Sequence, residues 1–284
     1  MTRILLAVAC LLLLNTACNQ PLPLASPAGY DLASPEIFKL PPALDEISGI
    51  AFKQGNPDTV YAQQDEAGKL FYFAPGQSTV QQVKFGKNVD YEDIAIMHQQ
   101  VFMLSSNGTI SVFPHTVVND GGSEATLELP SLLPRGEYEG MWADGNTNQL
   151  YVLCKQCAVD KKEDNTSGYI LQWSASNDIT LAGEFRIKNS EIARLANKKK
   201  ILFRPSAIAR SPGDGQWYML SSVNKLLVVA NDSWVVKGVY PLPPALFAQP
   251  EGMAFDMHNN LYISNERGGA SQATLLKFLF KNKP

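Results

Sequence analysis

Five short apolar segments of this 284-residue chain each begin with an oxygen-bearing side chain: Ser48-Gly49-Ile50-Ala51, Glu92-Asp93-Ile94-Ala95, Glu139-Gly140-Met141-Trp142, Ser206-Ala207-Ile208-Ala209 and Glu251-Gly252-Met253-Ala254. A second apolar run follows each segment. Beyond or at the ends of those runs stand more oxygen donors, Asp65, Glu66, Asn107, Asn265 and Glu266, with Lys155 as a basic exception and Glu46 just ahead of the first segment. Carboxylates gathered in one place raise each other's pKa unless a cation sits among them. Glu92, Glu139, Glu251, Ser48 and Ser206 contain neither Cys nor His, so the set suits a hard ion such as calcium and disfavours zinc or copper. The competing use of these oxygens is to cap backbone amides. Since two of the five copies carry Ser, the repeat itself does not require the acid. No G-x-S-x-G, H-E-x-x-H or phosphate-cradling glycine loop occurs, and His98, His115 and His258 fall in turns or flanks. A metal-bound water is the one catalytic device left open.

The segments recur at intervals of 44, 47, 67 and 45 residues, and such a repeat has to be explained before any local reading. Each is followed by a Gly-, Asn-, Asp- or Pro-rich turn and further short runs rich in aromatic and β-branched residues, the pattern of antiparallel strands. The second runs are Val60–Ala62, Val101–Leu104, Leu150–Leu153, Trp217–Leu220 and Leu261–Ile263. The third are Leu70–Phe73, Ile110–Phe113, Tyr169–Trp173, Leu226–Val229 and Leu275–Phe278. Fourth strands are expected at 80–85, 125–129, 181–187 and 235–240. The last copy has none after it, whereas Glu36–Leu40 is left over ahead of the first. Placing that strand on the last sheet closes a ring and hides two edges. The predicted fold is therefore all-β, a single β-propeller of five four-stranded blades over residues 34–284. No sixth copy supports a six-bladed ring. Aspartates in the turns at 55–58, 144–146, 212–215 and 256–260 lack EF-hand spacing and read as hairpin turns. In this connectivity the starts of first strands and ends of second strands share one face, which would gather the oxygen donors at the mouth of the channel.

The segments Asp45-Glu46-Ile47-Ser48-Gly49-Ile50-Ala51, Asp90-Tyr91-Glu92-Asp93-Ile94-Ala95, Tyr138-Glu139-Gly140-Met141, Arg204-Pro205-Ser206-Ala207-Ile208 and Gln249-Pro250-Glu251-Gly252-Met253-Ala254 resemble, as a set, the SdiA-regulated, YjiK-like propeller family. More distantly the chain looks like phytase-like esterases and lactonase and paraoxonase propellers. The resemblance implies a propeller in the cell envelope and leaves the reaction open.

Residues 1–17 read as an export leader: Arg3 precedes the 11 apolar residues Ile4 to Leu14, too few to cross a bilayer, which takes about 20. Leu14-Asn15-Thr16-Ala17-Cys18 resembles a lipoprotein cleavage box, departing from it at Asn15, and makes Cys18 the expected lipidation site; cleavage near Ala17 without lipid is the alternative. Asn19 after the cysteine favours the outer membrane, with the protein facing the periplasm. Residues 18–33, with Pro21, Pro23 and Pro27, read as an extended tether. The net charge of −3, one unit more negative once Arg3 is removed, argues against nucleic acid as a partner. Cys154 and Cys157 read as a local disulfide in an oxidising compartment.

Two insertions fall on the mouth face, Gln156–Ser167 and Lys188–Lys200, the second read as a short helix capped by Ser190. They are expected to partly cover the mouth and to offer cations, with Arg204 and Arg135, to an anionic ligand. The function expected is that of a monomeric, membrane-anchored binding or scaffold module for a small-molecule or protein ligand, with a calcium-type ion at the mouth. The alternative is a calcium-dependent ester or lactone hydrolase, in which the ion polarises the substrate oxygen and an unpaired rim glutamate acts as base.

Overall fold

The five signature segments form the innermost strands of five four-stranded antiparallel sheets. The computed structural model describes residues 24–122, 126–161, 163–174, 176 and 178–281; the leader, Cys18 and residues 18–23 of the expected tether lie outside them. Ahead of the first copy comes β1 (Glu36–Lys39). Blade 1 holds β2 (Ile47–Ala51), β3 (Val60–Gln64), β4 (Ala67–Phe73) and β5 (Gln81–Lys84), and blade 2 holds β6 (Tyr91–Met97), β7 (Gln100–Ser105), β8 (Ile110–Pro114) and β9 (Leu127–Leu129). Between β8 and β9 lies a single helical turn, α1 (Val117–Asp120). Blade 3 has the longest strands, β10 (Gly136–Asp144), β11 (Gln149–Cys157), β12 (Asn165–Trp173) and β13 (Ile179–Lys188), and is followed by α2 (Asn189–Leu195). Blade 4 comprises β14 (Ala207–Arg210), β15 (Trp217–Ser221), β16 (Leu226–Ala230) and β17 (Val236–Pro241); blade 5 comprises β18 (Pro250–Phe255), β19 (Leu261–Asn265) and β20 (Thr274–Phe278). The fourth strand of blade 5 is β1, which pairs antiparallel with β20, Glu36 opposite Lys277 and Phe38 opposite Leu275. The ring closes as the leftover strand required.

Period-2 alternation sends each strand's side chains into two different blade interfaces. In blade 4, Ile208, Met219 and Val228 face blade 3, while Ala207, Tyr218, Leu227 and Val229 face blade 5. Every one of the five core clusters spans one such interface, the last joining Ala254, Tyr262 and Leu275 of blade 5 to Ile47, Ile50 and Phe71 of blade 1. The core is thus a ring of five wedges, each exchanging water contact for apolar contact at roughly 1.5–3 kcal/mol per large side chain.

In four of the five copies the second residue of the signature is Gly or Ala, because the inner strands nearly touch. A Cβ on Gly49 would lie 2.2 Å from Asp93 Oδ1, and one on Gly252 would lie 2.3 Å from the Ser48 carbonyl oxygen. Hydrogen bonds then sew neighbours together. Ser48 Oγ donates to the Glu92 carbonyl at 2.6 Å, the Met141 amide to Asp93 Oδ2 at 2.7 Å, Ser206 Oγ to the Pro250 carbonyl at 2.9 Å, and Ser264 Oγ to the Ser48 carbonyl at 2.7 Å.

The turns between first and second strands lie on the face opposite the mouth, and one of them shows what its aspartate does. Asp256 Oδ1 accepts the His258 and Asn260 amides at 2.8 and 2.9 Å, closing the β18–β19 hairpin. From Leu24 onward the expected tether is docked instead of free. Leu32 is fully buried, Tyr30 is buried against Tyr218, Phe255 and Phe280, and the Tyr30 hydroxyl donates to the Asn259 carbonyl at 2.7 Å. Proline, alanine and serine set the composition of residues 18–33, but these two apolar anchors decide where its second half lies. No helix among the described residues is long and apolar enough to cross a membrane.

Candidate functional site

At the mouth of the channel the first-strand starts bring Glu92, Glu139 and Glu251 into one electrostatic neighbourhood. Burial pushes the Glu92 carboxyl up to about 9, helped by the charges of Glu139, Asp90 and Glu251 and opposed by Lys155. Glu139 is buried and pushed up to about 7, with Lys155 as the opposing partner. Lys155 Nζ contacts Glu139 Oε1 directly and Glu137 Oε1 at 3.3 Å. Burial lowers the pKa of this lysine, but the two glutamates more than offset it and the net shift is upward. Burial likewise raises Glu251, against hydrogen bonds from Ser222 and Gln249 and the charges of Lys155 and Lys225. The axial end of the channel is therefore a set of carboxyls raised by burial and organised around one ammonium.

The tightest grouping of carboxylates lies off the axis, between blades 1 and 5. One oxygen each from Glu46, Asp65 and Glu266 lies within 4.8 Å of the others. Among the described residues Glu92, Glu139 and Glu251 form no such group. Asp65 is pushed up to about 6 by burial and by the charges of Glu46, Glu66 and Asp90, and its Oδ1 is buried without a hydrogen-bond partner. Glu266 is buried and pushed up to about 8 by burial, then by Glu251, Asp65 and Glu46. Its Oε2 accepts the Gln249 amide. Arg267 flanks the group, with Nε 3.4 Å from Asp45 Oδ2 and Nη2 4.0 Å from Glu46 Oε1.

The remaining expected residues have other places. Ser48 and Ser206 are buried with their hydroxyls donated to neighbouring blades, so they serve the ring. Glu66 is exposed and acts on Asp65 through its charge. Asn107 is exposed in the β7–β8 turn, its Oδ1 accepting the Thr109 amide at 2.9 Å, and does not join the carboxyls. Asn265 is buried, with Nδ2 bonded to the Thr274 hydroxyl at 3.1 Å. Cys154 and Cys157 form a disulfide on β11; with both sulfurs bonded to each other, their grouping with Asp160 offers no thiolate.

The two insertions meet each other. The ends of the first insertion belong to β11 and β12, whose mutual pairing stops at Leu153 and Gly168, and a single tight turn, Val159–Lys161, lies between them. Helix α2 begins after Lys188, not at Ser190, and the cap comes from across the gap: the Ser190 amide donates to Asp164 Oδ2 at 3.0 Å. Between these insertions and the 200–204 segment lies a lateral cavity of about 590 Å³, on which Arg204 opens. Arg135 is exposed and lies outside it.

Sequence reasoning missed Gln249, Lys225 and Arg267. All three lie beside signature or second-strand ends on the mouth face, so the repeat register was the signal that could have found them. It also missed Asp93, which fills the small signature position with a carboxylate that reaches the next blade.

No family model and no curated protein matches the sequence. Many solved structures share its fold. A Myxococcus xanthus glutaminyl cyclase aligns over 88% of this chain and 96% of its own at 12% identity, with a TM-score of 0.56. A luciferin-regenerating enzyme aligns over 87% and 95% at 10% identity and TM-score 0.53. The calcium-binding protein regucalcin of Agrobacterium tumefaciens aligns over 90% and 96% at 13% identity and TM-score 0.50. At these identities the likeness establishes fold alone: the chain is a five-bladed β-propeller.

Proposed function

We propose that this propeller is a binding module of the bacterial envelope, anchored through a lipid on Cys18, whose mouth takes a calcium-type cation through Glu46, Asp65 and Glu266. The observation that carries the reading is the convergence of those three carboxylates with Asp65 Oδ1 buried and unpartnered. All the donors are hard oxygens. Burial and mutual repulsion raise Asp65 and Glu266, a cost that a divalent cation would remove. The ion would organise the rim electrostatically, while Lys155 fixes the charge of the axial carboxyls. The regucalcin structure, itself that of a calcium-binding protein, lends support of a weaker kind. Membership of the SdiA-regulated, YjiK-like family rests on the five signature segments and belongs to the same proposal.

Binding is favoured over hydrolysis. A hydrolase needs an ionised, unpaired glutamate as base; burial and neighbouring carboxylates raise Glu92, Glu139 is engaged by Lys155, and Glu266 is assigned to the ion.

Calorimetric titration of calcium into the chain, alongside an Asp65→Asn/Glu266→Gln double variant, tests the reading. Expected are saturable heat and a raised melting temperature in the parent, about 2.7 kcal/mol of added stability at a hundredfold excess over Kd, and neither in the variant. A Glu92→Gln/Glu139→Gln variant should still bind; loss of binding there alone would move the ion to the axis. No binding by the parent would sink the metal.

A further inference from the structure

We propose that the lateral cavity between the β11–β12 hairpin and residues 200–204 is a second binding site, for a small amphipathic carboxylate. Its volume of about 590 Å³ lies in the range of small-molecule pockets, roughly 300–1,000 Å³. What selects the ligand is a pair of cations without a carboxylate partner.

Each acidic group lining it already has a hydrogen-bond partner. Asp160 holds the Ser167 amide at 3.1 Å and contacts the Ser167 hydroxyl with its other oxygen. Asp164 caps α2 through the Ser190 amide. Glu163 accepts from Asn165 Nδ2 at 3.1 Å and lies 4.0 Å from Arg186. Lys155, at the inner wall, is held by Glu139 and Glu137. Two cations remain, Arg204 and Lys200. Among the described residues neither has a carboxylate within 4.0 Å. Arg204 is fixed through its backbone alone, its amide donating to Asn224 Oδ1 at 2.9 Å and its carbonyl accepting from Ser221. Its guanidinium is thus left for a planar, bidentate acceptor, which a carboxylate supplies.

The apolar requirement comes from the other wall. Leu202 lines the cavity yet is 55% exposed, with Ile201 and Phe203 beside it in the lining. An exposed aliphatic side chain in the lining, beside two cations without a carboxylate partner, suits a ligand with a carboxylate head and an aliphatic body. The Cys154–Cys157 disulfide holds the hairpin wall in place.

Octanoate is the probe. Titrated calorimetrically into the full chain in EDTA, so that no cation at the mouth contributes, it should bind saturably with one site per chain. An Arg204→Gln/Lys200→Gln variant should bind at least about tenfold more weakly, as should octanamide with the parent. Leu202→Glu, an exposed position whose side chain the fold does not use, should show a similar loss, and Arg135→Gln none. Absence of saturable binding, equal binding by parent and Arg204→Gln/Lys200→Gln, or octanamide binding as tightly as octanoate would overturn the site. Each of these results is independent of whether calcium binds at the mouth.

Discussion

Four mouth carboxyls, Glu92, Glu139, Glu266 and Asp65, have folded-state values above those they would have in the unfolded chain. The unfolded chain therefore releases these protons first as pH rises, and stability falls with pH across that interval. The interval starts near the ordinary carboxylate range of about 4 and ends at about 9, the folded value of Glu92. Thermal melts without divalent ions should give a melting temperature highest toward the acid end of that window and falling steadily to its alkaline end. Glu92→Gln, which removes the most raised of these four while keeping the shape, should make the profile shallower; a flat parent profile would mean that the mouth carboxyls are not buried together as described. Added calcium should flatten it too, through Asp65 and Glu266 and not through Glu92.

Blades rather than helices set the stability of the ring, and the critical contacts are where inner strands pass one another. At Gly252 even a methyl would collide with a carbonyl and with the Ser264 hydroxyl that donates to it. Gly252→Val should cost about 3 kcal/mol or more, the upper end of overpacking, by urea unfolding. Gly183→Ala, where the nearest atom would be 3.7 Å away, should change stability by a fraction of that. Equal effects at both positions would refute the close approach. The same contacts explain how much could be read in advance. The strands, their number and the closing role of β1 were legible because the small-residue signature is imposed by the ring itself and so repeats. The position of the tightest carboxylate group was not, because Asp65 and Glu266 hold the same place in the first and last repeats while Glu46 precedes the first, and the three meet only across the seam between those blades. Nor could Ser48 and Ser206 be recognised as staples, since a hydroxyl at a strand start looks the same whether it faces a ligand or the carbonyl of a neighbour.

For the molecule as a whole, the docking of residues 26–32 against the turn face has an orientational consequence. The Tyr30 hydroxyl reaches Asn259 on the face opposite the carboxyls, and at most about 3.6 Å of chain per residue separates Leu24 from the lipid proposed on Cys18. Such a short leash would press the turn face, where Met257 is 63% and Leu279 53% exposed, toward the headgroups and aim the carboxyl-lined mouth into the open compartment. A bulky thiol reagent on intact spheroplasts or outer-membrane vesicles with the periplasmic leaflet outward should then label Asn107→Cys readily and Met257→Cys slowly; the reverse order would invert the picture. Whatever the mouth captures would arrive from the aqueous side, and the bilayer would act as a backstop rather than as a source of ligand.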